Sequence, residues 1–356
     1  MAKYKLGDIA PIQQGSVPES ESYWLLNLDM VESNTGHIYE RLYVPFDKIG
    51  TSTIAFDTNN VLYSKLRPYL NKVVIPDCPG YATSEMLPLK PNKNYITREY
   101  LTYFLRSPKF VAYINEKTSG AKMPRANSSD LKSVEIECPT LENQRHITSE
   151  FDRIISIIRL RQQQLQKLDE FVKARFVEMF GDVRTNNKGL KTAKGSELFK
   201  FSSGKFLPEE NRKNTGIPVY GGNGIAWYTD EPLIDYPTII VGRVGAQCGN
   251  IHFVNVPVWI TDNAIYIKKQ KTDLFTLEFL AEMMTVIDFS QFADFSGQPK
   301  ITQKPLENTE YLIPTIEEQK AFSSFCKQIN KSKAAIQKAL DETQLLFDSL
   351  MQKYFG

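Results

Sequence analysis

The chain has few of the residues that build metal and disulfide sites, with three histidines and four cysteines among 356 residues. The cysteines lie far apart and form no CxxC pair, which argues against a zinc site and favours a reducing compartment. They are Cys78, Cys138, Cys248 and Cys326. His37, His146 and His252 are also scattered, without metal-ligand spacing. The sequence therefore predicts no metal site.

Long apolar stretches are missing too. No run approaches the roughly 18–20 residues needed to span a bilayer, and the opening segment MAKYKLGDIAPIQQG has no apolar signal-peptide core. These absences predict a cytoplasmic protein with no membrane partner. A formal net charge of +2 disfavours non-specific coating of DNA, which is typical of strongly basic chains, but it permits a local basic face.

The motifs of common enzymes are also missing. The chain has no G-x-x-x-x-G-K-[ST] loop, no NPPY-like or DPPY-like tetrapeptide, and no second glycine in FADFSGQ (292–298) to make an S-adenosylmethionine loop. Pro76-Asp77 followed by Glu85-Met86-Leu87 resembles a PD…ExK nuclease motif, but the lysine is absent. YGGNG (220–224) does not open a helix and is predicted to be a turn. We expect a non-catalytic chain without a cofactor.

What the sequence does contain is an internal repeat, at a shift of about 175–190 residues. A composition of 42% hydrophobic and 24% charged residues is that of a globular chain with room for two domains. The matching pairs of segments include VLYSKLR (61–67) with IIVGRVG (239–245), ATSE (82–85) with ITDN (260–263), SGAKMPRANSSDL (119–131) with SGQPKITQKPL (296–306), and PTLENQRHI (139–147) with PTIEEQKAF (314–322). A duplicated architecture follows from so many matches in the same order.

Each half has a mixed region and then a long helical segment. The mixed regions, 1–140 and 182–315, combine short strand-like runs with Gly, Pro and Asn turns and a few short helices, which predicts α/β (α+β) domains. The segments 141–181 and 316–356 lack proline throughout and lack glycine before their last residue, and Pro139 and Pro314 stand just before them.

The two long segments have the period of a coiled coil. Apolar positions in the first recur at spacings of four and three from Ile147 to Met179, and the same seam recurs 175 residues later. Two helices that pack on separate cores would give a similar pattern, but both seams last about five heptads, which favours an antiparallel pair. The polar residues in the seams, predicted to set the register, are Arg161, Arg175, Lys333 and Thr343.

Polar and aromatic residues recur in corresponding loops of the two mixed regions. Such side chains hydrogen-bond to phosphates and to base edges, although each alone could be a solvated surface residue. The candidate DNA-binding residues are Lys65, Arg67, Tyr69, Lys72, Lys122 and Arg125 in the first half, and Asn223, Tyr228, Arg243, Gln247, Gln298 and Lys300 in the second. Their different identities on a duplicated scaffold predict two readers of different sequences.

The chain resembles, over essentially its whole length, the DNA specificity subunit of type I restriction-modification systems. The residues that carry the resemblance are P-x-L/I-x-x-Q at Pro139–Gln144 and Pro314–Gln319, the helix end FVKARFVEMFGD, and the stretches PVYGGNGI (218–225), IIVGRVGAQCGNI (239–251) and VWITDNAIYI (258–267). The resemblance implies two target recognition domains, 1–140 and 182–315, each reading one half of a bipartite double-stranded DNA site in the major groove.

The resemblance also implies partners. The two helices would hold the domains apart about an approximate twofold axis and dock two methyltransferase subunits, and restriction subunits would supply translocation and cleavage. A helix of about 40 residues spans roughly 60 Å, ample for half-sites about 34–36 Å apart, so its length would set the gap in the target. Three alternatives stay open: the recognition subunit of a fused methyltransferase-nuclease, a coiled-coil scaffold without DNA contact, and an enzyme with a degenerate site.

Overall fold

The computed structural model describes residues 2–120 and 122–356. The chain divides into two compact units. The first unit holds the chain up to Arg161 together with Ala339–Gly356, and the second unit is Gln162–Lys338. Each unit therefore combines one mixed domain with one stretch of each long helix.

Among the described residues of the first unit there are nine strands and, before the first long helix, four short α-helices. The strands are β1 (Ala2–Lys5), β2 (Tyr23–Leu26), β3 (Leu42–Val44), β4 (Thr53–Phe56), β5 (Val61–Ser64), β6 (Val73–Val74), β7 (Gly80–Thr83), β8 (Met86–Leu89) and β9 (Glu135–Cys138). The helices are α1 (Leu6–Ile9), α2 (Arg98–Arg106), α3 (Pro108–Glu116), α4 (Ser128–Ser133) and α5 (Leu141–Phe180), of which α5 continues into the second unit.

Three sheets organise these strands. Strands β1 and β9 pair antiparallel, β6-β5-β8 form an antiparallel sheet, and β3-β2-β7-β4 form a mixed sheet in which β2 and β7 run parallel. Every residue of β5 is buried, as expected for the central strand of a sheet covered on both faces. The helix α2 begins where the Thr97 hydroxyl accepts from the Tyr100 N–H.

The second unit repeats this order. Its strands are β10 (Thr192–Lys194), β11 (Phe199–Ser203), β12 (Ile217–Gly221), β13 (Gly224–Thr229), β14 (Thr238–Gly242), β15 (Ile251–Val254), β16 (Trp259–Ile260), β17 (Ala264–Gln270) and β18 (Glu310–Leu312). Its helices are α6 (Gly195–Leu198), α7 (Leu277–Ile287), α8 (Gln303–Asn308) and α9 (Ile316–Phe355), of which α9 continues into the first unit.

The sheets of the second unit match those of the first. Strands β10 and β18 pair antiparallel, β11-β17-β14-β15 form one sheet, and β13-β12-β16 form another in which β12 and β16 run parallel. Thr276 caps α7 as Thr97 caps α2, by accepting from the Phe279 N–H. YGGNG is, as predicted, a turn: it closes the hairpin of β12 and β13. The duplicated α/β fold predicted from the sequence is confirmed.

A capping box opens one long helix, and a left-handed glycine ends the other. Helix α9 opens with a capping box, in which the Glu318 carboxylate accepts from the Thr315 N–H and the Thr315 hydroxyl accepts from the Glu318 N–H. Helix α5 ends at Gly181, whose φ of 81° is left-handed. A Cβ at Gly181 would lie 2.2 Å from the Asn187 Oδ1.

In the first unit the two helices pack antiparallel through an aromatic cluster. The Phe151 ring lies 5.4 Å from Phe347, 6.1 Å from Phe355 and 4.7 Å from Tyr103 of α2. Further along α5, the Arg161 guanidinium donates to the Ala339 carbonyl and the Thr343 hydroxyl. Moving along α5 from Phe151 to Arg161, the contacted residues of α9 move back from Phe347 to Ala339. The two helices therefore run antiparallel, as the heptads predict.

The second unit has its own antiparallel seam. The Lys333 ammonium lies 2.5 Å from the Asp169 carboxylate, and the Phe322 ring lies 5.5 Å from Phe176 and 5.6 Å from Phe180. All predicted seam positions of both helices are buried or half-buried. Arg175, however, pairs at 2.8 Å with Glu178 of its own helix.

The described residues contain neither a membrane-spanning helix nor a metal-binding cluster. Among residues 2–120 and 122–356, no helix is long and apolar enough to cross a membrane. In the same part of the chain, no cluster of three or more His, Cys, Asp or Glu side chains could hold a metal ion.

Candidate nucleic-acid interface

The candidate residues of the first unit lie on loops held together by backbone hydrogen bonds. After β5, the Lys65 N–H donates to the Glu85 carbonyl at 2.9 Å, and the Lys65 carbonyl accepts from Ala126 at 2.8 Å. The Arg67 N–H donates to Pro124 at 2.7 Å. Three segments are thereby fixed side by side: the loop 65–72, the turn at 83–85 and the loop 122–126. We call this arrangement the loop frame.

The second unit has the same loop frame. The Arg243 N–H donates to the Asn263 carbonyl at 2.9 Å, and the Arg243 carbonyl accepts from Ile301 at 2.9 Å. The Gly245 N–H donates to Pro299 at 2.8 Å. These bonds join the loop 243–250, the turn at 261–263 and the loop 294–301. Equivalent backbone positions therefore carry Lys65 and Arg243, Glu85 and Asn263, and Arg125 and Lys300.

The loop frame imposes a left-handed backbone at one shared position. Gly245 has φ 93° and its counterpart Arg67 has φ 48°. A side chain in this conformation costs roughly 1–2 kcal/mol, and non-glycine residues in it cluster at functional sites. The Arg67 side chain is exposed.

In the first unit the frame places an ion pair at its centre. The Arg125 Nη2 lies 2.8 Å from Glu85 Oε1, and its Nε lies 3.1 and 3.2 Å from the two carboxylate oxygens. The Lys65 ammonium lies 3.9 Å from the same carboxylate. The hydrogen bond from Arg125 lowers the pKa of Glu85, so the carboxylate stays ionised at neutral pH.

The remaining candidates of the first unit separate into two groups. Tyr69 and Lys122 are exposed on the loops of the frame. Lys72, in contrast, donates from its ammonium to the Leu28 carbonyl at 2.6 Å, and burial lowers its pKa. The Lys72 amine is therefore engaged within the domain.

In the second unit the same positions carry different chemistry. Asn263 is exposed, and the Lys300 ammonium lies 3.9 Å from Asp294. The Arg243 Nη1 donates to the Asp262 carbonyl at 3.3 Å. The exposed Gln247 amide accepts from Asn250 at 2.7 Å. Carboxamides and cations stand here where the first unit has its ion pair.

A hairpin tip adds a cavity to the second unit. Gly222 packs so closely that a Cβ would lie 3.1 Å from the Val244 carbonyl. The resulting cavity of about 520 Å³ is lined by the hairpin tip, including Asn223, and by Asn263 and Gln298. The structure brings these three carboxamides together. Tyr228 lies further along β13, where its N–H and carbonyl pair with Lys213.

Two buried polar side-chain atoms lie near the cavity. The Thr261 Oγ1 lines it, and the His252 Nε2 lies close to the hairpin tip, with neither atom having a partner among the described residues. Burial lowers the pKa of His252, so the imidazole is neutral at neutral pH.

Exposed aromatic residues at these loops were missed by the sequence reasoning. The Trp227 ring lines the cavity and carries the Arg212 guanidinium 4.1 Å from its centre. Phe295 is 70% exposed in the loop 294–301, and Phe206 is exposed after β11. Burial along β13 does not alternate around Trp227, so no strand period could have signalled its exposure, and Phe295 has no such pattern either.

The P-x-L/I-x-x-Q motif has a structural role. Gln144 is fully buried, accepts from the Thr97 N–H at 2.9 Å, and donates to the carbonyls of Tyr95 at 2.8 Å and Pro139 at 3.0 Å. In the second unit the Gln319 side chain accepts from the Thr276 N–H at 3.0 Å. It donates to the carbonyl of Leu274 at 2.8 Å and to that of Pro314 at 3.0 Å. Each glutamine ties a long helix to its domain.

Comparison with known proteins identifies relatives. The family model described as type I restriction modification DNA specificity domain matches residues 1–170 and 187–343. The EcoprrI specificity subunit of Escherichia coli, a type I restriction enzyme, is 28% identical over 128 residues, 35% of this chain and 31% of that protein. The putative type I restriction enzyme MjaX specificity subunit of Methanocaldococcus jannaschii is 28% identical over 297 residues, 71% of this chain and 68% of that protein.

Solved structures share the fold. A type I restriction-modification S subunit from M. genitalium superposes with a TM-score of 0.58 at 18% identity, covering 100% of this chain and 96% of that one. A chain from work on complex assembly and conformational transition of the type I R-M system gives a TM-score of 0.59 at 17% identity, covering 99% and 97%.

Proposed function

Because the chain belongs to the family of type I restriction modification DNA specificity domains, we propose that it is the subunit that selects the DNA target of a restriction-modification complex. Each mixed domain, 1–140 and 182–315, reads one half of a bipartite site in double-stranded DNA. The partners of this chain are two methyltransferase subunits and the restriction subunits, and they supply the chemistry. The chain itself takes no catalytic step.

One observation carries the proposal: the same loop frame occurs in both units with different polar side chains. The frame keeps its backbone hydrogen bonds while Glu85 is replaced by Asn263 and Arg125 by Lys300. A duplicated backbone with divergent hydrogen-bonding groups is what two readers of different base sequences require.

The long helices support the rest of the proposal. Each has 40 residues, about 60 Å of helix, and we assign to this length the gap between the half-sites. Both helices also expose apolar side chains, which favours docking of partner subunits on them. These exposed residues are Ile157, Leu160, Phe171, Val177, Leu345 and Leu346.

The methylome of cells that express the chain with its methyltransferase partner tests the proposal. We expect new adenine methylation in a split motif with a fixed gap. A continuous motif, or no new motif, would contradict it. Cutting on both sides of the site would instead assign the chain to a fused methyltransferase-nuclease system.

Gel-shift titrations of the reconstituted complex separate a DNA reader from a scaffold. A reader gives sequence-selective affinity whose logarithm falls linearly with the logarithm of the salt concentration. A scaffold gives neither the selectivity nor the slope.

Replacing Arg243 with Ala tests base reading in the second unit. If Arg243 contacts a base, affinity for the target should fall by about 1–3 kcal/mol and only the second half of the motif should relax. Lys268→Ala is the matched control, because it removes an exposed positive charge from β17 of the same unit. Equal weakening on all sequences would mark Arg243 as a phosphate contact.

The double substitution Leu345→Glu and Leu346→Glu tests the docking surface. Both side chains are more than half exposed, so the free chain should keep its melting temperature. Recovery of the methyltransferase in pull-downs should fall at least tenfold if these residues anchor the interface. Ser349→Glu, exposed one turn along α9, is the control for added negative charge. Undiminished recovery would place the docking surface elsewhere.

A further inference from the structure

We propose that Arg125 reads a guanine in the half-site of the first unit and that Glu85 positions it for that contact. This inference rests on the proposed function and names a base that it leaves open. It also distinguishes the two units, since the second has no such pair at the equivalent positions.

The geometry of the guanidinium carries the inference. Glu85 accepts from the Nε and Nη2 of Arg125 at 2.8–3.2 Å, which occupies one edge of the fork. The Nη1 has a longer contact of 3.4 Å to the Met123 carbonyl. One N–H each of Nη1 and Nη2 remains on the terminal edge without a partner among the described residues, and the Arg125 side chain is 42% exposed. Two parallel N–H groups fit the O6 and N7 of guanine.

A purely structural role does not explain the pair. In the second unit the loop frame forms with Asn263 and Lys300, and the bridge between Val244 and Lys300 matches the one between Leu66 and Arg125. The frame therefore closes without a carboxylate at the position of Glu85, and its Lys300 instead lies 3.9 Å from Asp294 of its own loop. Exposed ion pairs also contribute little to stability, whereas a bidentate carboxylate fixes the orientation of an arginine.

Lys65 completes the environment of the pair. Its ammonium lies 3.9 Å from Glu85, so two cations surround one carboxylate and the cluster keeps a net positive charge. That balance lets Glu85 hold Arg125 without repelling the DNA backbone.

Selection of binding sites from a random DNA library, with the full chain in its methyltransferase complex, tests the inference. Arg125→Ala should abolish the preference for guanine at one position of one half-site and lower affinity for the target roughly tenfold to a hundredfold. Glu85→Gln keeps the size of the side chain and removes the charge, so discrimination at the same position should weaken while the salt dependence stays unchanged. Arg41→Ala, which breaks the 2.6 Å pair with Asp77 in the same unit, should leave the motif intact.

Transplantation gives a test that does not depend on the first unit. The double substitution Asn263→Glu and Lys300→Arg should introduce a guanine preference in the other half-site. A folded double variant with an unchanged motif would overturn the inference, as would an unchanged motif for Arg125→Ala or uniform weakening on all sequences. If the unmodified complex selects no bipartite motif, the proposed function itself fails.

Discussion

Replacing Gln144 with Leu should destabilise the first unit by roughly 2–5 kcal/mol. The substitution leaves the Thr97 N–H and the carbonyls of Tyr95 and Pro139 without their partner, at sites that are only partly buried. A fully buried group left unpaired costs roughly 1–3 kcal/mol, so three partly buried groups should together cost less than three times that amount. Leucine has nearly the same volume, so the loss comes from hydrogen bonding and not from a cavity. Urea titration followed by circular dichroism measures the change.

The neighbouring Asn143 supplies the control, because its exposed side chain lies one residue earlier on the same helix. Asn143→Leu should change stability by less than about 0.5 kcal/mol. Gln319→Leu should repeat the large effect in the second unit, where the three hydrogen bonds are equivalent. Equal stability of the Gln144 and Asn143 variants would show that the motif has no role in holding the helix to its domain.

The repeat and the long helices could be predicted because their signals are local. Heptad spacing fixes which face of a helix is buried, and the seam positions between Ile147 and Met179 and between Phe322 and Tyr354 are all buried or half-buried. A chain without proline or internal glycine over 40 residues has no reason to end a helix earlier. The same holds for Gly181, which ends α5 in the left-handed conformation.

The candidate site could be predicted only in part. The ion pair of Glu85 and Arg125 joins residues 40 positions apart, and only the fold brings them together. Asn263 could have been predicted as a site residue, since the match of ATSE with ITDN aligns it with Glu85. An asparagine in a turn is common, however, so its presence alone does not indicate a site. The engagement of Lys72 by the Leu28 carbonyl depends on tertiary packing that no spacing of charges indicates.

Truncating Phe151 to Ala should destabilise the first unit by about 3–5 kcal/mol, the usual cost of removing a buried phenylalanine. The ring is fully buried and contacts Tyr103, Phe347, Tyr354 and Phe355, so the side chain joins both long helices to α2. Since a domain is stable by only about 5–15 kcal/mol, the variant should unfold at a clearly lower temperature in calorimetry.

Hydrogen exchange shows where the loss of Phe151 acts. Amides of α2 and of α5 near residue 151 should exchange faster, because both pack on the missing ring. Leu160→Ala is the matched control, since Leu160 lies on the same helix with more than half its surface exposed, and it should change the free energy of unfolding by less than about 0.5 kcal/mol.

The counterpart of Phe151 in the repeat is Cys326, which is buried in the second unit, while Phe322 fills the aromatic cluster there. Phe322→Ala should therefore give a loss of similar size with faster exchange in α7. If neither substitution lowered stability more than Leu160→Ala, the aromatic clusters would not be what holds the helices to their domains.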